Sequence, residues 1–159
     1  MIQNNKWELC IDGASKGNPG EAGIGVIIRN SDTIKKTLSE YIGITTNNVA
    51  EYSALIFGLQ EALIQNIRTI HIKTDSELLY KQIIGEYKVK DDCLQLLHKI
   101  AKHMLSGFAE VDITNVPREN NRDADRLANE AVQKRPVLLR KTKKLKASQD
   151  DQLPGLAEQ

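Results

Sequence analysis

The architecture of the chain is set by residues 6–20, which have the sequence KWELCIDGASKGNPG. Residues 6–11 predict a β-strand, and the glycines and proline of residues 12–20 predict a turn-rich loop that ends it. Two β-branched runs follow at residues 23–29 and 33–41, with turn residues between them. Three strands joined by short loops predict an antiparallel meander.

From residue 48 onward the apolar residues recur mainly at helical spacing. This spacing predicts helices over residues 48–65, 76–84, 91–105 and 122–133. Short β-branched or alternating runs predict two more strands, over residues 69–73 and 110–116. The predicted order of elements is therefore β-β-β-α-β-α-α-β-α.

This order predicts an α/β fold with a five-stranded mixed sheet, in which three antiparallel strands are followed by parallel ones and helices pack on both faces. Sheets of this kind bind ligands at the carboxyl ends of their strands. Asp12 and Asp75 each come directly after a predicted strand. If those two strands are parallel, both carboxylates lie at the same edge of the sheet.

The length of 159 residues suits one domain, which we expect over residues 1–135, followed by a basic tail over 136–159. Residues 134–146 contain seven basic residues and no acidic one, which is typical of a disordered, solvated end. Leu138 and Leu139 leave open the alternative that this tail docks on the domain.

Composition excludes several other classes of protein. Cys10 and Cys93 lie far apart without Cys-x-x-Cys spacing, which argues against a disulfide scaffold or a zinc ribbon. No apolar run approaches the roughly 20 residues of a membrane-spanning helix, and the N-terminus lacks a secretory signal pattern. We therefore expect a cytoplasmic protein without membrane contact. Residues 1–133 contain 15 basic and 18 acidic residues, so binding of nucleic acid would require metal to neutralise the acidic residues and local basic patches or the tail to supply the attraction.

Four acidic residues lie in separate short motifs: Asp12 in DGAS, Glu51 in NNVAEY, Asp75 in TDS and Asp125 in ADRLA. Carboxylates are the hard oxygen ligands by which proteins hold Mg²⁺. Together the four indicate a divalent-metal phosphodiesterase site.

Each acid also has a structural interpretation that its own motif leaves open. An Asp-Gly pair such as Asp12-Gly13 is commonly a turn, and Glu51 follows Asn48 at the spacing of a capping box. Asp75 stands where it can cap a helix.

The last helix presents two acids, Asp123 and Asp125, on opposite sides of its apolar face. Periodicity alone does not choose between them. Asp125 also has the alternative of pairing with Arg122 or stabilising the helix N-terminus.

In combination these motifs resemble those of the type 1 ribonucleases H, most closely their compact archaeal and bacterial branch. The matching stretches are DGASKGNPG (12–20), TNNVAEY (46–52), TDS (74–76), GEYKVK (85–90) and VPRENNRDADRLAN (116–129). The resemblance covers roughly residues 6–133 and implies a ribonuclease H-like fold. It also implies that Asp12, Glu51, Asp75 and Asp125 are the metal-binding catalytic residues, and it favours Asp125 over Asp123, which we expect to be a surface acid.

The activity implied by the resemblance is that of a metal-dependent endoribonuclease. It would hydrolyse the RNA strand of an RNA–DNA hybrid with two Mg²⁺ ions, or with Mn²⁺, and leave 5′-phosphate and 3′-hydroxyl ends. Selection would act through the minor groove and the 2′-hydroxyl rather than through base sequence. We expect the protein to work as a monomer.

Residues for substrate binding also follow from the resemblance. Gly13 would let the nucleic acid approach, Asn18, Asn47 and Asn48 would face the minor groove, and Thr46 would lie near a phosphate.

The basic contacts differ from those of many bacterial relatives. Lys88 and Lys90 lie in a short connection where such relatives insert a helix and a basic loop, and they are candidates for phosphate contacts. Arg118 stands where many relatives carry a mobile-loop histidine, so it is the candidate substitute. For all three, a solvated surface role is the alternative.

Two other functions stay open on the sequence alone. One is a related nuclease that also or mainly cuts double-stranded RNA, since one fold serves several substrates. The other is a hybrid-binding module without activity, against which the presence of all four carboxylates argues.

Overall fold

Strands and helices follow one another in the predicted order. The computed structural model describes residues 6–31 and 33–134, and in these the strands are β1 (Trp7–Gly17), β2 (Gly20–Asn30), β3 (Thr33–Thr45), β4 (Thr69–Thr74) and β5 (Glu110–Asn115). The helices are α1 (Asn47–Ile64), α2 (Glu77–Ile83), α3 (Asp92–Leu105) and α4 (Arg122–Gln133). A 3₁₀ turn covers Arg118–Asn120.

The strands form one mixed sheet in the order β3-β2-β1-β4-β5. β1, β2 and β3 pair antiparallel, whereas β1 with β4 and β4 with β5 pair parallel. The predicted α/β fold with a five-stranded mixed sheet is therefore confirmed. The parallel register pairs Ile11 with Thr74, so Asp12 and Asp75 directly follow the last pair of the two neighbouring strands.

The first hairpin is longer than the sequence indicated. We predicted that β1 ends at Ile11 in a loop over residues 12–20, but β1 pairs with β2 as far as the Gly17–Gly20 pair. The prediction was wrong because the turn residues are concentrated in a two-residue connection, Asn18-Pro19, and the glycines before it are accommodated in the strand. The turn interpretation of Asp12-Gly13 is likewise wrong, because both residues are strand residues.

Two apolar cores cover the two faces of the sheet. On one face the aliphatic residues of β1, β2 and β4 pack with α1, α2 and α3. On the other face Cys10 and Ile27 pack with Ala124 and Leu127 of α4. β2 is buried on both faces, which explains its nearly continuous apolar sequence.

Helix starts are fixed by side-chain caps that differ in part from the expected ones. The Thr46 hydroxyl accepts from the Val49 N–H (3.3 Å), so Thr46 rather than Asn48 caps α1, and the capping-box interpretation of Glu51 is wrong. The Ser76 hydroxyl, not the Asp75 carboxylate, caps α2 by accepting from the Leu79 N–H at 3.2 Å. Both acids are thereby released from capping.

None of the helices within the described residues is both long enough and apolar enough to span a bilayer. The predicted tail over residues 136–159 lies outside the described residues, as does the predicted domain end at 135. The last described helix, α4, ends at Gln133.

Glycines of β2 set how closely α4 approaches the sheet. A Cβ on Gly23 would lie 2.6 Å from the Ala128 carbonyl oxygen and 2.7 Å from the Ala131 Cβ, and one on Gly25 would overlap the Ala124 carbonyl. α4 therefore packs directly on the backbone of β2, which places its first turn beside Gly25, the residue that pairs with Asp12 of β1.

We predict that Gly23→Ala lowers the free energy of unfolding by about 1–3 kcal/mol, because α4 has to move away from the sheet. Urea denaturation monitored by circular dichroism measures the loss. Gly107→Ala is the control, since its Cβ would meet nothing closer than the Met104 carbonyl oxygen at 3.3 Å. Equal losses in the two variants would contradict the account of α4 packing.

Candidate active site

Asp12 and Asp75 are brought together by the parallel pairing of β1 and β4. Pairing between these strands ends at Ile11 and Thr74, so the two residues that follow, Asp12 and Asp75, lie side by side at the carboxyl end of β4. Asp12 continues in β1, opposite Gly25 of β2, and is 4% exposed. Asp75 lies between the end of β4 and the cap of α2 and is half-buried.

Glu51 joins this pair from α1, which crosses β1 at Gly13. A Cβ at Gly13 would overlap the backbone of Ala50 and Glu51, so only glycine permits this crossing. The Gly13 N–H donates to Glu51 Oε2 at 3.1 Å, and the Glu51 side chain is buried at 5% exposure. The backbone of β1 thus orients the second carboxylate toward the first.

One carboxylate oxygen from each of Asp12, Glu51 and Asp75 lies within 4.8 Å of the others. They open into a cavity of about 380 Å³ that is also lined by Asp125. Three clustered oxygen ligands suit a hard divalent cation such as Mg²⁺ or Mn²⁺, and the cavity leaves room for water and substrate oxygens. The arrangement can therefore hold a divalent metal.

Asp125 lies in the first turn of α4, and its carboxylate is held by two neighbours. Asn129 Nδ2 donates to Asp125 Oδ1 at 3.3 Å, and Arg118 Nη2 lies 3.4 Å from the same oxygen. The Arg118 side chain is 77% exposed and lines the acidic cavity. The pairing of Asp125 is thus with Arg118, not with Arg122 as one interpretation of the sequence had it.

Asp123 faces away from this cluster. It is exposed and lines a separate cavity with Cys10 and Arg29 on the other side of the α4 start. The choice that periodicity left open is therefore made by packing, because only Asp125 reaches the cavity of Asp12.

Burial and mutual repulsion oppose ionisation of the cluster. The pKa of Asp12 is raised, first by burial and then by the charges of Glu51 and Asp75. Burial also raises the pKa of Glu51, against the opposing hydrogen bond from Gly13. The pKa of Asp75 is raised by burial, and the nearby Arg118 charge lowers it in part. A bound divalent cation would remove this repulsion.

Some of the residues expected to bind substrate line the cavity, and others do not. Gly13, Asn47 and Arg118 line it directly. The Asn18 Oδ1 accepts from the Asn47 N–H at 3.1 Å, and Asn18, Asn47 and Asn48 are exposed, while the Thr46 hydroxyl serves the α1 cap.

Two expected residues lie elsewhere. Lys88 and Lys90 are exposed and follow α2, and neither lines the acidic cavity. They lie in the connection after α2, the helix whose beginning adjoins Asp75.

The chain is similar to proteins of one known family. A family model described as reverse transcriptase-like matches residues 10–131. The chain is 42% identical over 122 residues to ribonuclease HI of Halobacterium salinarum, covering 76% of this chain and 61% of that protein. It is 37% identical over 148 residues to ribonuclease H of Erythrobacter litoralis, covering 80% of this chain and 96% of that protein. The chain belongs to the type 1 ribonuclease H family.

A solved member of the ribonuclease H family has the same fold. LC11-RNase H1, isolated from compost and crystallised with an RNA/DNA hybrid, is 38% identical, with a TM-score of 0.77 over 81% of this chain and 98% of that chain. Some relatives are longer: this chain spans 61% of the Halobacterium protein and 34% of a similar bifunctional protein of Mycobacterium tuberculosis.

Two residues of this ribonuclease H-family site were missed by the sequence analysis. Asn129 holds Asp125 and lines the cavity, and its position four residues after Asp125 on a helix was a usable signal. Asn121 is buried and its Nδ2 donates to the Ile11 carbonyl at 2.8 Å, which ties the start of α4 to the point where the pairing of β1 with β4 ends. No local pattern announces that contact, since the two residues are 110 positions apart.

We predict that Asp12→Asn stabilises the metal-free protein at pH 8 by about 1–2 kcal/mol, a typical gain when a strained functional group is relieved. The folded-state pKa of Asp12 lies above its ordinary value. Above about pH 4 the native state therefore retains a proton that the unfolded state has released, and stability falls as pH rises. The gain from Asn should grow between pH 5 and pH 8.

Urea denaturation in EDTA at a series of pH values measures this gain. Asp123→Asn is the matched control, because its carboxylate is exposed and outside the cluster. A loss of stability in Asp12→Asn that is the same at every pH would contradict the electrostatic account.

Proposed function

We propose that the chain is a metal-dependent endoribonuclease that hydrolyses the RNA strand of RNA–DNA hybrids and leaves 5′-phosphate and 3′-hydroxyl ends. The observation that carries the proposal is the convergence of Asp12, Glu51 and Asp75 within 4.8 Å at one edge of the sheet. Membership of the ribonuclease H family supports it, and so does the hybrid bound by the similar LC11-RNase H1. Asp12, Glu51, Asp75 and Asp125 are the proposed catalytic residues.

The proposed cofactor is a pair of Mg²⁺ ions, for which Mn²⁺ can substitute, held by these four carboxylates. When bound, such a pair activates a water and stabilises the leaving oxygen of a phosphodiester. The donor set fits this role because it consists of carboxylates and the cavity leaves coordination positions open for water and phosphate.

The surrounding residues of the chain have distinct proposed roles. Asn129 holds the Asp125 carboxylate in place, and Arg118 offers a guanidinium at the mouth of the cavity for a phosphate of the RNA strand. Asn18, Asn47 and Asn48 present amides to the minor groove, where the 2′-hydroxyl distinguishes RNA from DNA. Gly13 forms part of the cavity wall, where it leaves room for the nucleic acid, and Thr46 is proposed to lie near a phosphate of the DNA strand.

Lys88 and Lys90 are proposed to bind backbone phosphates farther along the duplex. The proposed working form is a cytoplasmic monomer, made of a catalytic domain over residues 1–135 and a basic tail over 136–159 that adds non-specific attraction. A nuclease acting mainly on double-stranded RNA is the second candidate, favoured by the open cavity and the exposed Arg118, which are not specific to a DNA strand.

We predict that Asp75→Asn abolishes cleavage of an end-labelled RNA–DNA hybrid, with a loss beyond the about 10–100-fold typical of outer-shell metal partners. EDTA should have the same effect on the native protein. Gel analysis with hybrid, double-stranded RNA and double-stranded DNA, in Mg²⁺ or Mn²⁺, measures cutting.

The control for that experiment is Asp123→Asn, which should cut at the native rate. If the native protein binds the hybrid but does not cut it in either metal, the nuclease proposal is wrong and the chain is a hybrid-binding module. Equal cutting of double-stranded RNA would favour the second candidate.

We predict that Arg118→Ala lowers kcat roughly tenfold, at the lower end of what a charged hydrogen bond contributes, because the side chain is largely exposed. Arg118→Lys should restore less than half of the loss, since an ammonium lacks the bidentate fork. Steady-state kinetics measures both, with Arg122→Ala, exposed and outside the acidic cavity, as control. An unchanged kcat in Arg118→Ala would assign Arg118 to the solvated surface.

A further inference from the structure

Two glutamine amides hold consecutive carbonyls of the connection between α2 and α3. Gln82 of α2 donates through Nε2 to the Lys88 carbonyl at 3.5 Å. Gln95 of α3 donates through Nε2 to the Val89 carbonyl at 3.0 Å. The two side chains line the same groove. One side chain from each helix therefore holds the backbone of the connection by a hydrogen bond.

Further contacts hold the beginning of this connection and its one apolar side chain. The backbone N–H groups of Glu86 and Tyr87 both donate to the Lys81 carbonyl, at 2.9 and 3.1 Å. The Val89 side chain packs against the main apolar core. The connection is thus held at its beginning, at two carbonyls and by one apolar side chain.

Gln82 is itself held in a network that reaches the acidic site. Its Oε1 accepts from the Tyr52 hydroxyl at 2.6 Å, and its backbone carbonyl contacts His98 Nε2 at 3.2 Å. Tyr52 and Gln82 are 1% and 5% exposed, and Tyr52 is the residue after Glu51. The position of the connection is therefore tied to the helix that carries one of the acidic residues.

This connection carries two exposed cations. Lys88 and Lys90 flank Val89, whose side chain is turned to the core, and both are exposed. α2 has seven residues, which is about 10 Å of helix, and begins two residues after Asp75, so the connection that carries the lysines starts at the end of α2 farther from Asp75. A duplex bound at the cavity and extending along α2 would reach them.

We infer that Gln82 and Gln95 are positioning residues that hold Lys88 and Lys90 in place for the phosphate backbone of the substrate. The inference rests on the proposed function. A lysine on a loose loop loses backbone as well as side-chain freedom on binding, whereas one on a fixed backbone loses only the latter. The two amides thus supply, with two hydrogen bonds, part of this ordering before the substrate binds.

The first test is Gln95→Ala, whose side chain is exposed, so that the core is left intact. KM for a labelled RNA–DNA hybrid should rise roughly threefold to tenfold, the range of one hydrogen bond, with kcat unchanged. Gln60→Ala, an exposed helix glutamine on α1, is the matched control and should leave KM unchanged. A fall in kcat alone, or an equal effect in the control, would overturn the inference.

A double-mutant cycle tests whether the glutamine acts through the lysines. In the Lys88→Ala/Lys90→Ala background, Gln95→Ala should have no further effect on KM. Those two lysine substitutions should also reduce the salt dependence of hybrid binding, since each phosphate contact adds to its slope. Additive effects of Gln95→Ala and the lysine substitutions would contradict a positioning role.

A third measurement does not depend on the substrate. Trypsin should cut the folded Gln95→Ala variant after Lys88 and Lys90 several times faster than it cuts the folded Gln60→Ala variant. Cleavage requires the segment to open locally, and loss of the Gln95 hydrogen bond makes this opening easier. Mass spectrometry identifies the sites. Unchanged cutting overturns the inference even if the hybrid is cleaved. Faster cutting in a protein that neither binds nor cleaves the hybrid would overturn the proposed function, and the substrate part of the inference with it.

The buried glutamine is tested in a form that still folds. Tyr52→Phe/Gln82→Met replaces both partners of the buried hydrogen bond by apolar side chains, which leaves no unpaired polar group at that bond. The same variant removes the Gln82 donor of the Lys88 carbonyl, so that carbonyl alone loses its partner. It should raise KM and tryptic cutting as Gln95→Ala does. A native KM together with native tryptic cutting would remove Gln82 from the inference.

Discussion

Three carboxylates of like charge lie within 4.8 Å of one another, and two of them are almost fully buried. Their mutual repulsion and lost hydration oppose folding, as the raised pKa values of Asp12 and Glu51 indicate. The remainder of the structure supplies the rigidity that holds them there. Parallel pairing of β1 with β4 places Asp12 beside Asp75, and the crossing of α1 over Gly13 places Glu51 against both.

Close packing of helices on strand backbone is the means by which this rigidity is reached. Gly13 lets α1 lie directly on β1, while Gly23 and Gly25 let α4 lie directly on β2. Asn121 then ties the start of α4 to the Ile11 carbonyl, one residue before Asp12. Glu51 and Asp125 are therefore carried by helices whose distance from the sheet is set by backbone contact, where small displacements are strongly resisted.

Most of the fold could be predicted from the sequence, because hydrophobic period and turn residues are local signals. The four acids could also be proposed from the sequence as metal ligands. Because their strands were expected to be parallel, Asp12 and Asp75 were expected to lie close together. The end of β1 was predicted wrongly, because the residues DGASKG have the composition of a loop and only their pairing with β2 shows that they are strand residues. Capping was misassigned for a similar reason: Thr46, Asn47 and Asn48 are all suitable caps, and only the start of α1 distinguishes them.

Contacts between distant segments could not be predicted. The hydrogen bonds of Asn121 to Ile11 and of Tyr52 to Gln82 join residues 110 and 30 positions apart, and neither residue pair has a distinguishing motif. The same holds for the exclusion of Asp123, which depends on how α4 is rotated on the sheet. Such contacts are decided by packing, and they are the ones that convert four separate acids into a site.

Direct location of the metal tests the central claim most sharply. Crystals soaked in Mn²⁺ would be measured at a wavelength where manganese scatters anomalously. The account predicts peaks about 2.0–2.5 Å from carboxylate oxygens of Asp12, Glu51 and Asp75, with a second ion on the side of Asp125. Filled surface sites with no anomalous peak in the acidic cavity, at millimolar Mn²⁺ and neutral pH, would contradict it.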